Sequence, residues 1–296
     1  MKRFFLILII GLLIQSCTIG QKKEATVCGP ENGSLLIIGG NLSSPAIYAK
    51  FLELAGGPDA NLVIIPTAIA DESLLVDGAM DRMVANFKSH GFKNIEILHT
   101  RNPEEANTAE FVKPLKTANA VYFMGGRQWR IADGFLNTLA HKELFKVLDR
   151  GGVIGGSSAG ASIQGSYLAR GDTQTNVVMM GDHEEGLSFL KNTAIDQHLL
   201  KLNRQFDVFE IIRTHPELLG LGLDENTGII VKGDTFEVIG ESFVAVYDGT
   251  FCQFVRDKED WSIERPEITQ LPQDSDRFYF LGEGRVYDLK NRKVIK

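Results

Sequence analysis

The chain has 296 residues, a formal net charge of −7 and a hydrophobic fraction of 44%. This length and composition describe one globular domain that is large enough to bury a proper core. No run of Lys or Arg is long enough to bind successive phosphates, and the arginines are scattered along the chain, so nucleic acid is not an expected partner.

The first 33 residues have the pattern of a secretion and anchoring segment. Two basic residues precede an apolar run over residues 4–14, which is short for a bilayer span and ends just before Cys17. This pattern predicts a lipoprotein signal peptide over residues 1–16, lipidation of Cys17, and a polar tether over residues 17–33. The alternative is an ordinary secretory signal with an incidental cysteine. On the first interpretation the mature chain is exported and anchored in a membrane, where it faces the periplasm or the cell surface.

Export would also permit a disulfide bond. After lipidation of Cys17, only Cys28 and Cys252 remain. Their spacing does not show whether they pair or stay as two small free thiols.

Short apolar runs alternate with stretches of helical spacing in the first half of the chain. The runs are residues 35–38, 62–65, 95–98, 120–123 and 153–154. Helical spacing puts Ile47, Phe51 and Leu54 on one face of residues 44–54, and Leu75, Ala79, Met83 and Phe87 on one face of residues 75–87. This alternation predicts an α/β fold, with a mostly parallel sheet and helices on both of its faces. We assign residues 34–296 to a single catalytic domain of this type.

A Gly-x-Ser-x-Gly pentapeptide, Gly156 to Gly160, follows the apolar run at 153–154. After a central buried strand this pattern predicts a nucleophile elbow, a sharp reversal into a helix that presents the middle serine in a cleft. Ser158 is therefore the candidate nucleophile, and the helix N-terminus beyond it offers N–H groups to an oxyanion. By itself, the pattern also suits a plain turn or a phosphate-binding loop.

A base and an acid that could serve Ser158 occur further along the chain. A serine hydroxyl needs a base to remove its proton, and a carboxylate fixes the tautomer of an imidazole base. His198 and Glu225 can take these roles, and the order Ser, His, acid argues against a lipase or esterase, which has the acid before the His. Asp196 and Gln197 directly precede the base. They could orient it, line the pocket or cap a helix that begins near His198.

Beyond Glu225 the pattern changes to short strands with tight turns. Residues 227–231, 237–239 and 243–247 predict an antiparallel C-terminal extension of the sheet, and residues 282–289 suggest one more hairpin.

Two other groups of residues receive structural interpretations. Gly39-Gly40-Asn41 follows the first predicted strand and is interpreted as a tight turn and nothing more. His183 lies among acidic residues but has no second histidine at ligand spacing, so no metal site is expected there.

Four blocks of the chain resemble the cyanophycinase-like serine peptidases of peptidase family S51, which are related to the aspartyl dipeptidases. The blocks are Tyr122 to Gln128, Gly155 to Ala161, Asp196 to His198, and Gly220 to Thr227, and they occur in the family's order. The resemblance implies that Ser158 is the nucleophile, His198 the base and Glu225 its orienting acid. It also implies that the Gly126 and Ala159 N–H groups form an oxyanion hole and that Gln128 contacts the substrate.

The chain departs from this family after His198, where cyanophycinases carry a run of arginines. Arg204 matches one of these arginines, whereas Leu202 and Asp207 replace two others. We therefore expect an intact catalytic group with a changed specificity surface, in which any remaining carboxylate recognition rests on Arg204. The cyanophycin substrate itself is in doubt.

The sequence thus predicts a membrane-tethered serine exopeptidase that hydrolyses aspartyl or isoaspartyl peptide bonds without a metal or organic cofactor. Its expected partners are a peptide substrate and the membrane that holds its lipid anchor, and a homodimer is an open alternative. A second hypothesis is a non-catalytic surface lipoprotein that keeps the peptidase fold. A third is an amidotransferase-like hydrolase, which is disfavoured because that chemistry usually has a cysteine where this chain has Ser158.

Overall fold

The computed structural model describes residues 28–250 and 277–296. The predicted signal peptide, Cys17, most of the predicted tether and Cys252 lie outside these residues. Within the two described ranges, no helix has both the length and the apolar character needed to cross a membrane.

The described residues form fourteen strands and nine helices. The strands are β1 (Ser34–Ile38), β2 (Asn61–Ile65), β3 (Asn94–Ile97), β4 (Ala120–Phe123), β5 (Val153–Ser157), β6 (Gly165–Tyr167), β7 (Leu190–Gln197), β8 (Leu219–Leu223), β9 (Thr227–Lys232), β10 (Thr235–Gly240), β11 (Val244–Tyr247), β12 (Tyr279–Leu281), β13 (Val286–Asp288) and β14 (Lys293–Val294). The helices are α1 (Pro45–Ala55), α2 (Asp71–Leu74), α3 (Ala79–Ser89), α4 (Pro103–Ala106), α5 (Lys113–Thr117), α6 (Trp129–Phe135), α7 (Leu139–Asp149), α8 (Ala159–Ser162) and α9 (Val208–Thr214).

Both sheets of this α/β fold are mixed. The larger has the order β14-β13-β10-β9-β1-β5-β4-β2-β3, and the smaller has the order β12-β11-β8-β7-β6. In the larger sheet, β1 to β5 pair in parallel, while β9, β10, β13 and β14 add to β1 as an antiparallel half. In the smaller sheet, β6, β7 and β8 are parallel, and β11 and β12 are antiparallel.

The prediction of a mostly parallel sheet is therefore wrong for the whole fold, although it describes β1 to β5. Strands β9 and β10 are joined by only two residues, Gly233 and Asp234, and so short a connection can only make an antiparallel pair. The predicted antiparallel extension is this hairpin, which continues the larger sheet beside β1. Strand β11 instead pairs with β8 in the smaller sheet.

The core lies on both faces of the parallel half. Consecutive residues of a strand point to opposite faces, so a strand that is buried throughout must be covered on both sides. Leu36 and Ile38 of β1 pack on one side with α1 and α3 residues such as Phe51 and Phe87. Residues Leu35 and Ile37 pack on the other side with residues of α6, α7 and the smaller sheet.

Two predicted helices differ from those in the structure. The helix expected over 75–87 begins only after Gly78, whose φ is 68°, as α3, and Leu75, between α2 and α3, is 84% exposed. The helix expected from His198 is absent, because His198 itself has a φ of 55° and residues 198–206 form turns before α9 begins. Asp196 and Gln197 are the last residues of β7 and cap no helix.

Candidate active site

Ser158 lies between the end of β5 and the first residue of α8, where the chain reverses. Its φ of 56° and ψ of −117° fall in a sparsely populated region for a residue with a side chain. The Ser158 N–H donates to the carbonyl oxygen of Ile38 at the end of β1, with an N···O distance of 3.0 Å. A methyl group on Gly156 would lie 2.2 Å from the carbonyl oxygen of Gly160, so only glycine fits there. The reversal thus depends on glycine before Ser158 and on a neighbouring strand.

His198 follows the last residue of β7 and faces Ser158. Its backbone N–H donates to the carbonyl oxygen of Gly39 at 2.9 Å. Its Nε2 lies 2.9 Å from Ser158 Oγ, and its Nδ1 lies 2.8 Å from Glu225 Oε1. Because the carboxylate can only accept, it favours the tautomer with hydrogen on Nδ1, which leaves Nε2 as the acceptor for the Ser158 hydroxyl.

Glu225 is held in the turn between β8 and β9. While Oε1 faces His198, Oε2 accepts a hydrogen bond from Asn41 Nδ2 at 3.1 Å. The preceding residue, Asp224, turns away from the imidazole and accepts hydrogen bonds from the N–H groups of Leu200 and Lys201. Of the two adjacent acids, Glu225 contacts His198 and Asp224 does not.

The Gly39-Gly40-Asn41 segment does more than make a tight turn, which corrects the sequence interpretation. Gly40 has a φ of 140°, and a methyl group on it would lie 2.3 Å from His198 Cε1. Its bare backbone therefore packs against the imidazole. Asn41 contacts Glu225, so this segment touches two members of the group. The signal that could have revealed it is its position, since it ends the strand that pairs directly with β5.

Gly126 and Ala159, the predicted oxyanion donors, lie on the loop after β4 and at the first residue of α8. Among the described residues, neither backbone N–H has a hydrogen-bond acceptor. A methyl group on the adjacent Gly125 would lie 3.2 Å from Ser158 Cβ and 3.7 Å from Ser158 Oγ, so this loop borders the serine closely.

The four predicted substrate-binding residues fall into two groups. Gln128, Asp196 and Gln197 are buried to 1% exposure or less, and Gln128 Nε2 donates to the carbonyl oxygen of Ala169. Asp196 presents no carboxylate to a substrate, because both of its oxygens accept hydrogen bonds from another side chain. Arg204 is half-buried, and its Nη1 donates to the backbone and side-chain oxygens of Gln197.

The partner of Asp196 is Arg170, a residue that the sequence interpretation missed. Its guanidinium is 1% exposed and makes a bidentate pair with Asp196 at 2.7 and 3.0 Å. It also donates to Asp207 at 2.5 Å and to the carbonyl oxygens of Asn176 and Val177. Burial lowers the pKa of Arg170, but the hydrogen bonds and charges of its two carboxylate partners outweigh burial and raise that pKa above its usual range.

This cluster changes the interpretation of the specificity surface. Asp207 does not project an uncompensated negative charge into a pocket, because its carboxylate pairs with Arg170. Leu202 is exposed. Burial lowers the pKa of the Arg204 guanidinium, and the nearby Arg170 charge lowers it further.

His183 pairs with two carboxylates, with Nε2 2.8 Å from Asp133 and Nδ1 3.1 Å from Asp182. Across the described ranges, no group of three or more His, Cys, Asp or Glu side chains could hold a metal ion.

The comparisons with known proteins identify the family. The model of peptidase family S51 matches residues 35–239. The chain belongs to this family. It is 28% identical over 269 residues to a cyanophycinase of Geminocystis herdmanii, and the alignment covers 88% of this chain and 96% of that protein. A cyanophycinase of a Nostoc species is 29% identical over 270 residues, with coverages of 88% and 87%.

A solved structure of a peptidase from an acI-B1 Actinobacterium has the same fold. Its TM-score is 0.62 at 20% identity, and the match covers 88% of this chain and 98% of that one. The family resemblance stated from the sequence is therefore confirmed, and the protein is a peptidase, a hydrolase whose substrate is a peptide.

Replacing Arg170 by Met should lower the free energy of unfolding by about 3–5 kcal/mol, because it leaves Asp196 buried without its partner. Chemical denaturation measures this change. The control is Lys50→Met, which removes an exposed pair with Glu53 and should cost less than about 1 kcal/mol. Adding Asp196→Asn to Arg170→Met should recover part of the loss. Equal losses of stability in Arg170→Met and Lys50→Met would contradict a dominant role for the buried pair.

Proposed function

We propose that the protein is a serine-type exopeptidase that hydrolyses aspartyl or isoaspartyl peptide bonds through an acyl-enzyme. The observation that carries this proposal is the continuous hydrogen-bonded line from Ser158 Oγ through the His198 imidazole to Glu225, with distances of 2.9 and 2.8 Å. A hydroxyl becomes a competent nucleophile when an oriented base can take its proton. In this proposal the β5–α8 reversal is a nucleophile elbow.

In the acylation step, Ser158 Oγ attacks the carbonyl carbon of the scissile bond while its proton passes to His198 Nε2. The negative charge on the carbonyl oxygen is stabilised by the N–H groups of Gly126 and Ala159, for which the described residues provide no other acceptor. Glu225 stabilises the imidazolium that forms. The C–N bond then breaks, and His198 returns the proton to the leaving amine.

In the deacylation step, a water molecule takes the place of the amine. His198 removes a proton from the water, whose oxygen attacks the acyl carbon and forms the same oxyanion. The bond to Ser158 Oγ then breaks, and the proton returns to Ser158. The resting hydroxyl and the free carboxylic acid product result.

The choice of aspartyl or isoaspartyl bonds rests on the relatives. The cyanophycinases match nearly the whole of this chain, and the family resemblance links them to aspartyl dipeptidases. Arg204 is the cation of the 198–207 segment that fits recognition of a carboxylate, because Nη1 makes its described hydrogen bonds while the guanidinium carries further donors.

The second candidate is a non-catalytic surface lipoprotein with the same fold. Such a protein has no need for an oriented Ser-His-Glu group. The hydrogen bonds at both nitrogens of His198, and the Asn41 contact on Glu225, therefore favour the enzyme.

We also propose that the protein is exported and that a lipid on Cys17 anchors it, with residues 1–16 as the signal peptide, residues 17–33 as the tether and residues 34–296 as one catalytic domain. The support is the sequence pattern of basic residues, a short apolar run and a cysteine.

Ser158→Ala and His198→Ala should each lower peptidase turnover by several powers of ten, because members of such a group act as a unit. Glu225→Gln should cost the same or less. The measurements are turnover of aspartyl and isoaspartyl dipeptides and labelling by a fluorophosphonate probe, with the labelled residue mapped by mass spectrometry. The control Ser157→Ala changes the neighbouring serine and should keep both activities. Near-wild-type turnover by Ser158→Ala would remove the proposed mechanism.

Arg204→Ala should lower kcat/KM for carboxylate-bearing substrates by roughly 10- to 100-fold, because a charge-assisted hydrogen bond contributes about 1.5–3 kcal/mol. Wild type should also hydrolyse β-Asp-Arg less efficiently than the cyanophycinases do, since Leu202 and Asp207 stand where they carry arginines. A panel of α- and β-aspartyl dipeptides measures both effects. Lys201→Ala, which removes an exposed cation from the same segment, is the control. Efficient cleavage of β-Asp-Arg, or no loss in Arg204→Ala, would contradict this account.

Cys17→Ser should abolish incorporation of labelled fatty acid and move the protein to the soluble fraction, because a lipidated Cys17 carrying two or more acyl chains is sufficient for stable anchoring. Metabolic labelling and membrane fractionation provide the measurement. Cys28→Ser is the matched control and should label like wild type. Equal labelling of wild type and Cys17→Ser would rule out the proposed anchor.

A further inference from the structure

A cavity of about 380 Å³ lies between helix α3 and the carboxyl ends of β2 and β4. Its apolar lining comes from three elements that are distant in sequence, namely Ile69, Ala79, Met83, Phe87 and Met124. Ligand pockets in proteins have volumes of about 300–1,000 Å³ and are lined mainly by apolar side chains. The cavity is thus large enough for one bulky side chain.

The cavity shares a loop with the candidate active site. Its lining residue Met124 directly precedes Gly125, and a methyl group on Gly125 would lie 3.7 Å from Ser158 Oγ. The same loop is fixed on the other wall, because the Arg127 N–H donates to the carbonyl oxygen of Ala68 at 2.8 Å, next to Ile69. A peptide whose carbonyl carbon reaches Ser158 therefore lies against a loop that also lines the cavity.

The walls are apolar and partly adaptable. Phe87 is buried, with its ring centroid 4.9 Å from that of Tyr122, so it forms a firm floor. Met83 and Met124 are half-buried, and methionine side chains adjust to occupants of different shape. At the edge, Arg82 donates to the Asp77 carbonyl oxygen and Asn86 donates to Tyr48. The lining formed by the described residues contains no carboxylate, so a cationic occupant such as a lysine side chain would find little compensation for the water that it loses.

The cavity and Arg204 belong to different segments around Ser158. Strand β5, which leads to Ser158, has β4 and then β2 on one side and β1 on the other, and the cavity belongs to the β4 and β2 side. Arg204 is instead bonded to Gln197 at the end of β7, in the smaller sheet.

We propose that this cavity is a subsite for a large apolar side chain next to the scissile bond, so that the enzyme prefers aspartyl or isoaspartyl peptides whose other residue is Leu or Phe. The occupant is a substrate residue, because the cavity opens beside the loop that borders Ser158. This inference rests on the proposed function for the aspartyl side, and on the cavity alone for the apolar side.

The first test compares kcat/KM for Asp-Leu, Asp-Phe, Asp-Ala and Asp-Lys in both α and β linkage. Leu and Phe substrates should exceed Ala and Lys substrates by about tenfold or more. Met83→Lys, which puts a charge into the cavity, should remove this preference by lowering kcat/KM for the Leu and Phe substrates to about that of the Ala substrate. Val84→Lys on the same helix does not alter the lining and should retain the preference. Equal rates across the panel, or equal effects of both substitutions, would overturn the subsite.

The second test separates the subsite from the catalytic proposal. Calorimetry with Ser158→Ala measures binding of the same dipeptides without turnover, and the Leu and Phe peptides should bind about tenfold more tightly than the Lys peptide unless Met83→Lys is also present. Tight apolar binding without any wild-type turnover would support the subsite and refute the proposed function. Turnover without an apolar preference would support the proposed function and refute the subsite. If Met83→Lys changed the sedimentation of the protein but not its peptide binding, the cavity would be a contact between copies of the chain. That result would overturn the inference.

Discussion

Three successive backbone carbonyls at the end of β1 hold the candidate active site together. The carbonyl oxygen of Ile38 accepts from the Ser158 N–H, that of Gly39 from the His198 N–H, and that of Gly40 from the Asn226 N–H, next to Glu225, with N···O distances of 3.0, 2.9 and 2.9 Å. Each turn that carries one member of the Ser-His-Glu group is thereby tied to one short stretch of backbone. Their relative positions are therefore set by backbone hydrogen bonds in addition to the side-chain contacts.

This arrangement explains why the residues that follow β1 have so little side-chain volume. The two sheets approach each other where β1 ends, and β8 of the smaller sheet passes directly into β9 of the larger one through the turn that contains Glu225. Because His198 must enter from β7, the imidazole packs on the bare backbone of Gly40. Groups that need placement within about 0.5 Å are better supported by strands than by loops. Here the support is a strand end.

The sequence was informative wherever the interactions are local. The apolar runs located β1 to β5 to within a few residues, because a strand buried on both faces is continuously apolar, as in β1, β2, β4 and β5, whereas the edge strand β3 is only partly buried. The Gly-x-Ser-x-Gly pattern indicated the sharp reversal between β5 and α8 at Ser158, since such a reversal needs glycine on both sides. Long-range pairing was not accessible in the same way. The antiparallel addition of β9 to β1 joins residues almost 200 positions apart, and neither segment contains a feature that specifies the other.

The same limit applies to the site. Arg170 and Asp196 are 26 residues apart, and Asn41 and Glu225 are 184 apart, so their contacts follow from the packing of two sheets rather than from spacing. Gly39-Gly40-Asn41 has the composition of an ordinary turn. It matters because β1, the strand before it, ends at the candidate active site. Family motifs pointed to His198 and Glu225 as candidates because those residues stand in blocks with a fixed local sequence.

Arg170 also shows why residues that replace a family pattern must be interpreted with their surroundings. Taken alone, Asp207 in place of an arginine predicts repulsion of an acidic substrate. In the fold, the Asp207 carboxylate shares the buried Arg170 guanidinium with Asp196, and Arg170 also binds the carbonyl oxygens of residues 176 and 177. The acid at position 207 therefore joins two surface segments to β7, and its charge is neutralised where it lies. In the proposed function, changes in specificity would follow instead from Leu202, which brings no charge, and from Arg204, whose guanidinium is oriented by Gln197 at the end of the strand that leads to His198.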